Sequence, residues 1–332
     1  MVTEGRAEAK RGSRSDAQNP PQAADAPLLP CIPASLESHP AWRLGNLLDV
    51  RPAEEFQRGH WVRAVSVPLP LAWSLTTGDA AAEKPTQLLD RLLPAIFLPP
   101  RHEPLLVAAN RERVAEFVVH HLRAHGRPAT DGTVVTATAL ATWPAQWLQT
   151  GTNRRCLWRP PAFLVRQVQH LPSPAAGPVL DLGAGSGRAA VWLAERGYRV
   201  TAVDHQAEAL TLGQRLADSR GVTCRFLHRD LRDPERIPPG PWAAVLAFRF
   251  LQRSLLARVA DLLQPRGVVM VRTYRRVSGA ADLPAARYCL EPGELLRLFA
   301  ADRYDVIVHE EDLDAAGKPA AGIVARSRPP AR

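Results

Sequence analysis

Val179-Leu180-Asp181-Leu182-Gly183-Ala184-Gly185-Ser186-Gly187-Arg188 is the stretch on which the reading of this chain turns. An apolar run ends in three alternating glycines and passes directly into RAAVWLAERG (188–197), so it predicts a strand, a tight turn and a helix. Glycines at such a turn let the backbone bend sharply and let a ligand approach it closely. The next strand, RVTAV, ends in Asp204, seventeen residues after Gly187, and the third, VTCRFLHRD, ends in Asp230-Leu231. An acid closing the second strand is placed to accept hydrogen bonds from both hydroxyls of a ribose. A carboxylate closing the third can meet the exocyclic amine of an adenine, while the leucine covers its face. Taken singly, Asp204 reads equally well as a helix cap and Asp230 as a turn residue; three such features at consecutive strand ends favour the ligand reading. The spacing D-x-G-x-G-x-G also differs from the GxGxxG of dinucleotide sites. An acid at its head would repel a pyrophosphate and attract a cationic amino-acid ligand, so NAD is not expected.

Outward from this turn, strand and helix alternate to the end of the chain. WAAVLAF is followed by LLARVADLL, GVVMVRT, ELLRLFAAD and the closing pair YDVIVHEE and AGIVARS. The alternation predicts a parallel, doubly wound α/β sheet, with the closing pair adding an antiparallel edge strand.

With those motifs in place, residues from about 155 to 332 resemble the class I S-adenosylmethionine-dependent methyltransferases, whose first motif is an acidic, triple-glycine turn. The resemblance implies S-adenosylmethionine as cofactor. It places Asp181 on the methionine side, Gly183, Gly185 and Gly187 along the cofactor, Asp204 at the ribose, and Asp230 with Leu231 around the adenine, with His205 and Phe248 as further cofactor-binding candidates. LLQPRGVVMV is similar to the family's stretch into the fifth strand, with Arg266 in place of the usual first glycine. The loop after the fourth strand, Ala247-Phe248-Arg249-Phe250-Leu251-Gln252-Arg253, lacks the Asn/Asp-Pro-Pro-aromatic run of enzymes that methylate amide or exocyclic nitrogens, and it holds no His, Asp or Glu as general base. In-line transfer from a sulfonium can proceed by positioning alone when the acceptor is already nucleophilic. The nearest likeness is to small-molecule methyltransferases of the tellurite or thiopurine type. Arg249, Arg272 and Tyr274 are the candidates for holding an anionic or polarised acceptor, because ligands of open α/β sheets lie beyond the carboxyl ends of the strands.

The preceding half divides differently. Residues 1–30 are polar and charge-balanced and read as a disordered tail. Strands are expected at LGNLLDV, AVSVPL and PLLVAA, a short helix at PAEEFQRG, a longer one at ERVAEFVVHHLRAHG, and a strand or turn at TVVTATAL. Trp147 to Pro161 breaks the pattern as a linker. Asn46 to His60, with its DVR…EF…GH run, and the following Ala64-Val65-Ser66-Val67-Pro68 resemble the rhodanese-like domain over about residues 38–151. A rhodanese carries sulfur on a loop cysteine between a strand and a helix. Here that place falls at Ala109 or Asn110, with Glu112 nearby to repel an anion, so the domain (31–151) is expected to be inactive and residues 152–332 to form the methyltransferase with its linker. Cys156 reads as an ordinary, partly buried thiol.

At 332 residues the chain suits two domains. Its apolar runs fall short of the roughly 18 residues of a membrane span, and MVTEGRAEAKRG lacks the apolar core of a secretory signal. Cys31, Cys156, Cys224 and Cys289 form no CxxC pair, so neither a metal site nor a disulfide framework is expected and a cytoplasmic setting is. The net charge of +9 is compatible with an anionic partner. A small-molecule acceptor leads. RNA is the alternative, along Arg225, His228, Arg229, Arg232, Arg272, Arg275 and Arg276, and a non-catalytic scaffold is the third reading. The oligomeric state is left open.

Overall fold

The computed structural model describes residues 28–69, 84–153, 155–279 and 283–329. The first 27 residues of the expected tail lie outside that set. Two largely parallel sheets organise the rest. The N-terminal one is built from β1 (Leu47–Asp49), β3 (Ala64–Ser66), β4 (Leu105–Ala109) and β5 (Thr130–Val134) in the order β3-β1-β4-β5, while β2 (His60–Trp61) pairs antiparallel with β6 (Leu148–Gln149). Leu29 continues the larger sheet beyond β5: its N–H donates to Gly132 O at 2.8 Å, and its carbonyl accepts from Thr133 Oγ1 at 2.7 Å. Residues 28–30, expected within the tail, therefore belong to the fold. Order also precedes Leu44, in the helices Pro33–Leu36 and Pro40–Leu44, each with proline in its first turn.

The C-terminal sheet has seven strands: β7 (Val179–Leu182), β8 (Val200–Asp204), β9 (Arg225–His228), β10 (Trp242–Phe248), β11 (Leu263–Tyr274), β12 (Tyr304–Leu313) and β13 (Pro319–Ser327). Their order is β12-β13-β11-β10-β7-β8-β9, parallel from β11 through β9. The antiparallel strand, however, is not the edge. β13 is inserted between β11 and β12, antiparallel to both, so β12 closes the sheet. The strand burial patterns explain it: β13 is buried along almost its whole length, whereas β12 exposes Asp305, Val306 and its acidic end. The single helix expected over LLARVADLL is two short turns, Arg253–Leu256 and Val259–Leu262.

Two apolar layers cover the seven-stranded sheet. Val179, Ala202, Ala244 and Met270 face the helices Arg188–Ala194 and Ala207–Arg220, while Leu180, Leu182, Val245 and Val271 face Leu255, Val259 and Leu295. The linker is packed: Leu157 joins the core of the N-terminal sheet, and its neighbour Trp158 joins that of the C-terminal sheet, as alternation along an extended chain dictates. Arg188, which opens the helix after the glycine turn, donates to Ala95 O at 2.9 Å and Ile96 O at 3.0 Å, and Ile96 is buried in the C-terminal core. The halves are thus tied together close to the turn that opens the second of them.

Candidate functional site

Strand order reverses between β7 and β10: β8 and β9 build out on one side of β7, β10 and β11 on the other. The crevice at the carboxyl ends of β7 and β10 is where open α/β sheets take ligands. The glycine turn lies there, with Gly183 at φ +64°, Gly185 at +52° and Gly187 at +69°, a left-handed conformation that favours glycine at all three places. A Cβ at Gly185 would meet nothing within 4 Å, so this stretch of backbone is open to a ligand. A Cβ at Gly187 would meet Phe226 Cε1 at 2.7 Å, so that glycine serves packing against β9.

Asp181 ends up 2 % exposed, and its Oδ2 finds no hydrogen-bond partner among the described residues. Burial, aided by the nearby Asp204 carboxylate, pushes its pKa up to about 7. A buried carboxylate without a partner is costly unless a cation or donor completes it. Asp204 is also buried, but its oxygens are engaged: Gly185 N–H donates to Oδ2 at 2.8 Å and Gln206 N–H to Oδ1 at 2.9 Å, with His205 Nδ1 3.3 Å from Oδ1. It ties the glycine turn to the start of the helix Ala207–Arg220, and each oxygen keeps a further lone pair.

Asp230 holds the guanidinium of Arg232 through contacts of 3.0 and 2.6 Å, which keeps its carboxyl well below the usual range. Leu231 is buried under the same strand end, and Phe248 is half-buried against the core. Arg249 adopts φ +56°, donates its N–H to Arg272 O at 2.8 Å, and places its exposed guanidinium 3.4 Å from Asp314 and 5.7 Å from the Tyr274 ring centroid. Arg272 lies beneath, 11 % exposed, bonded to Glu310 and Asp312 at 2.6 Å each and 5.4 Å from the Phe163 ring centroid. Arg249, Arg272 and Tyr274 are therefore brought together at one mouth, with acids of β12 and its turn as their partners.

Those acids are not among the residues that the sequence motifs single out, although the run His309-Glu310-Glu311-Asp312-Leu313-Asp314 signals an acidic strip. Phe250 carries no comparable signal in the sequence. Its ring leans on the turn so closely that a Cβ at Gly183 would stand 2.3 Å from Cδ2 and 2.5 Å from Cγ.

A family model described as "Methyltransferase domain" matches residues 179–267. Among curated proteins, the tRNA 5-carboxymethoxyuridine methyltransferase of Escherichia coli (strain K12) is 30% identical over 103 residues, 29% of this chain and 40% of that protein. The chain thus spans less than half the length of the curated relatives it matches. Among solved structures, TehB from Haemophilus influenzae aligns with TM-score 0.42 at 16% identity, covering 50% of this chain and 61% of that one. A 1,6-didemethyltoxoflavin-N1-methyltransferase from Burkholderia thailandensis aligns with TM-score 0.40 at 24% identity, covering 51% and 79%. No helix among the described residues is long and apolar enough to cross a membrane.

Proposed function

We propose that the chain, whose residues 179–267 match a family model described as "Methyltransferase domain", transfers the methyl group of S-adenosylmethionine to an anionic acceptor. The observation that carries this reading is the unpartnered carboxylate of Asp181 at the head of an open glycine turn. S-adenosylmethionine, when bound, supplies an activated methyl on a sulfonium. Asp181 would hold its ammonium, Gly183 and Gly185 would let it approach the backbone, and Asp204 would accept from the ribose through its remaining lone pairs. For the adenine, Asp230 would exchange its exposed Arg232 partner for the ring's amine, and Leu231, Phe248 and His205 would flank it.

At the mouth, Arg249 is the guanidinium available to orient an acceptor, since its contact to Asp314 is long and its side chain exposed. Arg272, bonded twice to carboxylates, positions Glu310 and Asp312 and buttresses Tyr274's strand. An acid-fringed mouth suits a cationic sulfonium, and an anionic acceptor is then drawn to Arg249. RNA is kept as the second reading because the curated relative's named substrate is a carboxymethoxy group on tRNA, an anion of the kind Arg249 would pair. Labelled methyl transfer into a cell extract, sorted into RNA, protein and small molecules, decides between them. Arg249→Ala should retain cofactor binding and lose at least tenfold in turnover on the labelled acceptor, about the 1.5–3 kcal/mol of one charged hydrogen bond. Wild-type turnover in this variant would remove Arg249 from the site.

The N-terminal half we read as a rhodanese-like unit (31–151) without sulfur chemistry. β4 leads through Asn110, whose Nδ2 donates to Glu55 Oε1 at 2.8 Å, into the helix Glu112–Ala124, and the buried Ala109 stands where a sulfur carrier would be needed. Burial raises the thiol pKa of both Cys31 and Cys156, which keeps them protonated and poorly nucleophilic. The whole chain should read at background in a thiosulfate-to-cyanide assay; turnover that disappears with Cys31→Ser would show a working sulfur site instead.

A further inference from the structure

A second polar centre lies away from the glycine turn, in the N-terminal half. Asp90, on the helix Pro85–Leu92, faces two histidines four residues apart on the neighbouring helix Glu112–Ala124 and its cap. Asp90 Oδ1 stands 3.3 Å from His121 Nε2 and 3.5 Å from His125 Nε2, and one ligand atom from each of the three residues lies within 4.8 Å of the others. A tetrahedral ion with bonds of about 2.0–2.1 Å has donor–donor edges of about 3.4 Å, so two of the three edges are already in place. The third, between the two imidazole nitrogens, is within 4.8 Å, and His125 is 57% exposed.

The tautomer of His125 gives an independent argument. Its Nδ1 lies 2.7 Å from His121 O, and only an N–H can make that bond. The other nitrogen, Nε2, is thereby left facing the Asp90 carboxylate, 3.5 Å from its Oδ1. An imidazole that donates one nitrogen to a backbone carbonyl while the other faces outward is the usual state of a metal-bound histidine. Cys spacing could not disclose this site, since no cysteine takes part and Asp90 and His121 are 31 residues apart.

These groups line a cavity of about 230 Å³, which Arg101 and Arg127 also border. Arg127 is 4% exposed, and its Nη1 is buried without a partner among the described residues. Two guanidiniums would repel a bare cation. A metal that carries an anion into the cavity satisfies both: the anion takes the open coordination position and reaches the unpaired Nη1. The geometry points to a divalent metal site of the zinc class, held by Asp90, His121 and His125, with an anion from solution as its fourth ligand.

The full chain, stripped with a chelator, should bind one Zn²⁺ per molecule by calorimetry in phosphate buffer. Co²⁺ in its place should give visible absorption of a four- or five-coordinate centre, and added phosphate should shift that spectrum. Asp90→Asn and His125→Ala change side chains that are 55% and 57% exposed, so folding should be intact, and each should weaken Zn²⁺ binding at least tenfold. Arg127→Gln should retain the metal and lose the phosphate-dependent shift; if the buried substitution prevents folding, phosphate titration of the wild-type Co²⁺ form alone decides the anion. Absence of stoichiometric Zn²⁺ binding, or unchanged binding in both the Asp90 and His125 variants, would overturn the site. A Co²⁺ spectrum indifferent to phosphate would overturn the anionic ligand.

Discussion

Asp181→Asn should bind S-adenosylmethionine at least a hundredfold more weakly than the parent chain and yet melt at a higher temperature without it. Both effects come from one carboxylate. Its Oδ2 has no partner among the described residues, and Asp204 lies close enough to oppose its charge. The neutral amide removes that buried charge, so the apo fold gains. With the cofactor bound, the ammonium would be the missing partner, and breaking such a buried pair costs about 3–5 kcal/mol, or upwards of a hundredfold. The pH dependence has a definite sign. Asp181 has a folded pKa raised to about 7 from 3.8, so its contribution to apo stability is fully present below pH 3.8 and is lost as pH rises through 7. Affinity for the cation moves the other way. It rises as the carboxylate ionises and falls by about tenfold per unit as pH drops below 7. Calorimetric titrations at pH 6, 7 and 8, with melting curves beside them, check both signs. Equal affinity at pH 6 and 8 in the parent, or an Asn variant that binds normally, would remove Asp181 from the cofactor site.

The same residue shows how far the sequence could be read. Asp181, Asp204 and Asp230 were placed at three consecutive strand ends by pattern alone, because strand period and glycine conformation are local properties of the chain. What those carboxylates do before a ligand arrives was not legible. That Asp204 spends hydrogen bonds on Gly185 and Gln206, and that Asp230 is held by Arg232, depends on side-chain directions that no spacing encodes. The sheet order was open for a related reason. Both closing strands are apolar enough to lie inside, and only the burial of Ile323, Val324 and Ala325 against the exposed acids of β12 decides that β13 takes the inner place. At the mouth, the pairing of Arg272 with Glu310 and Asp312 spans 38 and 40 residues, and register across β13 brings them together. Asp90 lies on a different helix from His121 and His125, and the identities of the loop residues between the two helices give no hint that they converge.

The largest effect of a single methyl group is expected at Gly183. Two independent penalties meet there. Its φ of +64° costs a residue with a Cβ about 1–2 kcal/mol, and the added carbon would stand 2.3 Å from Phe250 Cδ2 and 2.7 Å from Phe250 Cβ. Overpacking of this kind costs about a further 1–3 kcal/mol. Contact with the Phe250 Cβ means that turning the ring cannot fully relieve the clash, so either the glycine turn or the loop after β10 must shift. Both form walls of the crevice. Gly183→Ala should therefore lose more than a hundredfold in cofactor affinity, with a lowered melting temperature. Phe250→Ala removes the ring but leaves the Cβ, so Gly183→Ala/Phe250→Ala should recover the part of the packing loss that is due to the ring and retain the Cβ contact and the backbone part. The expected coupling is about 1–2 kcal/mol, within the range measured for residues in contact. Gly185→Ala is the internal comparison, because its φ is also positive but its Cβ would meet nothing within 4 Å. In melting temperature without cofactor, that variant should show the backbone penalty alone, and replacing Phe250 should not rescue it. Purely additive effects at Gly183 and Phe250, measured as cofactor dissociation constants and melting temperatures, would mean that Phe250 does not rest on the turn in solution, and the crevice wall would have to be redrawn without it.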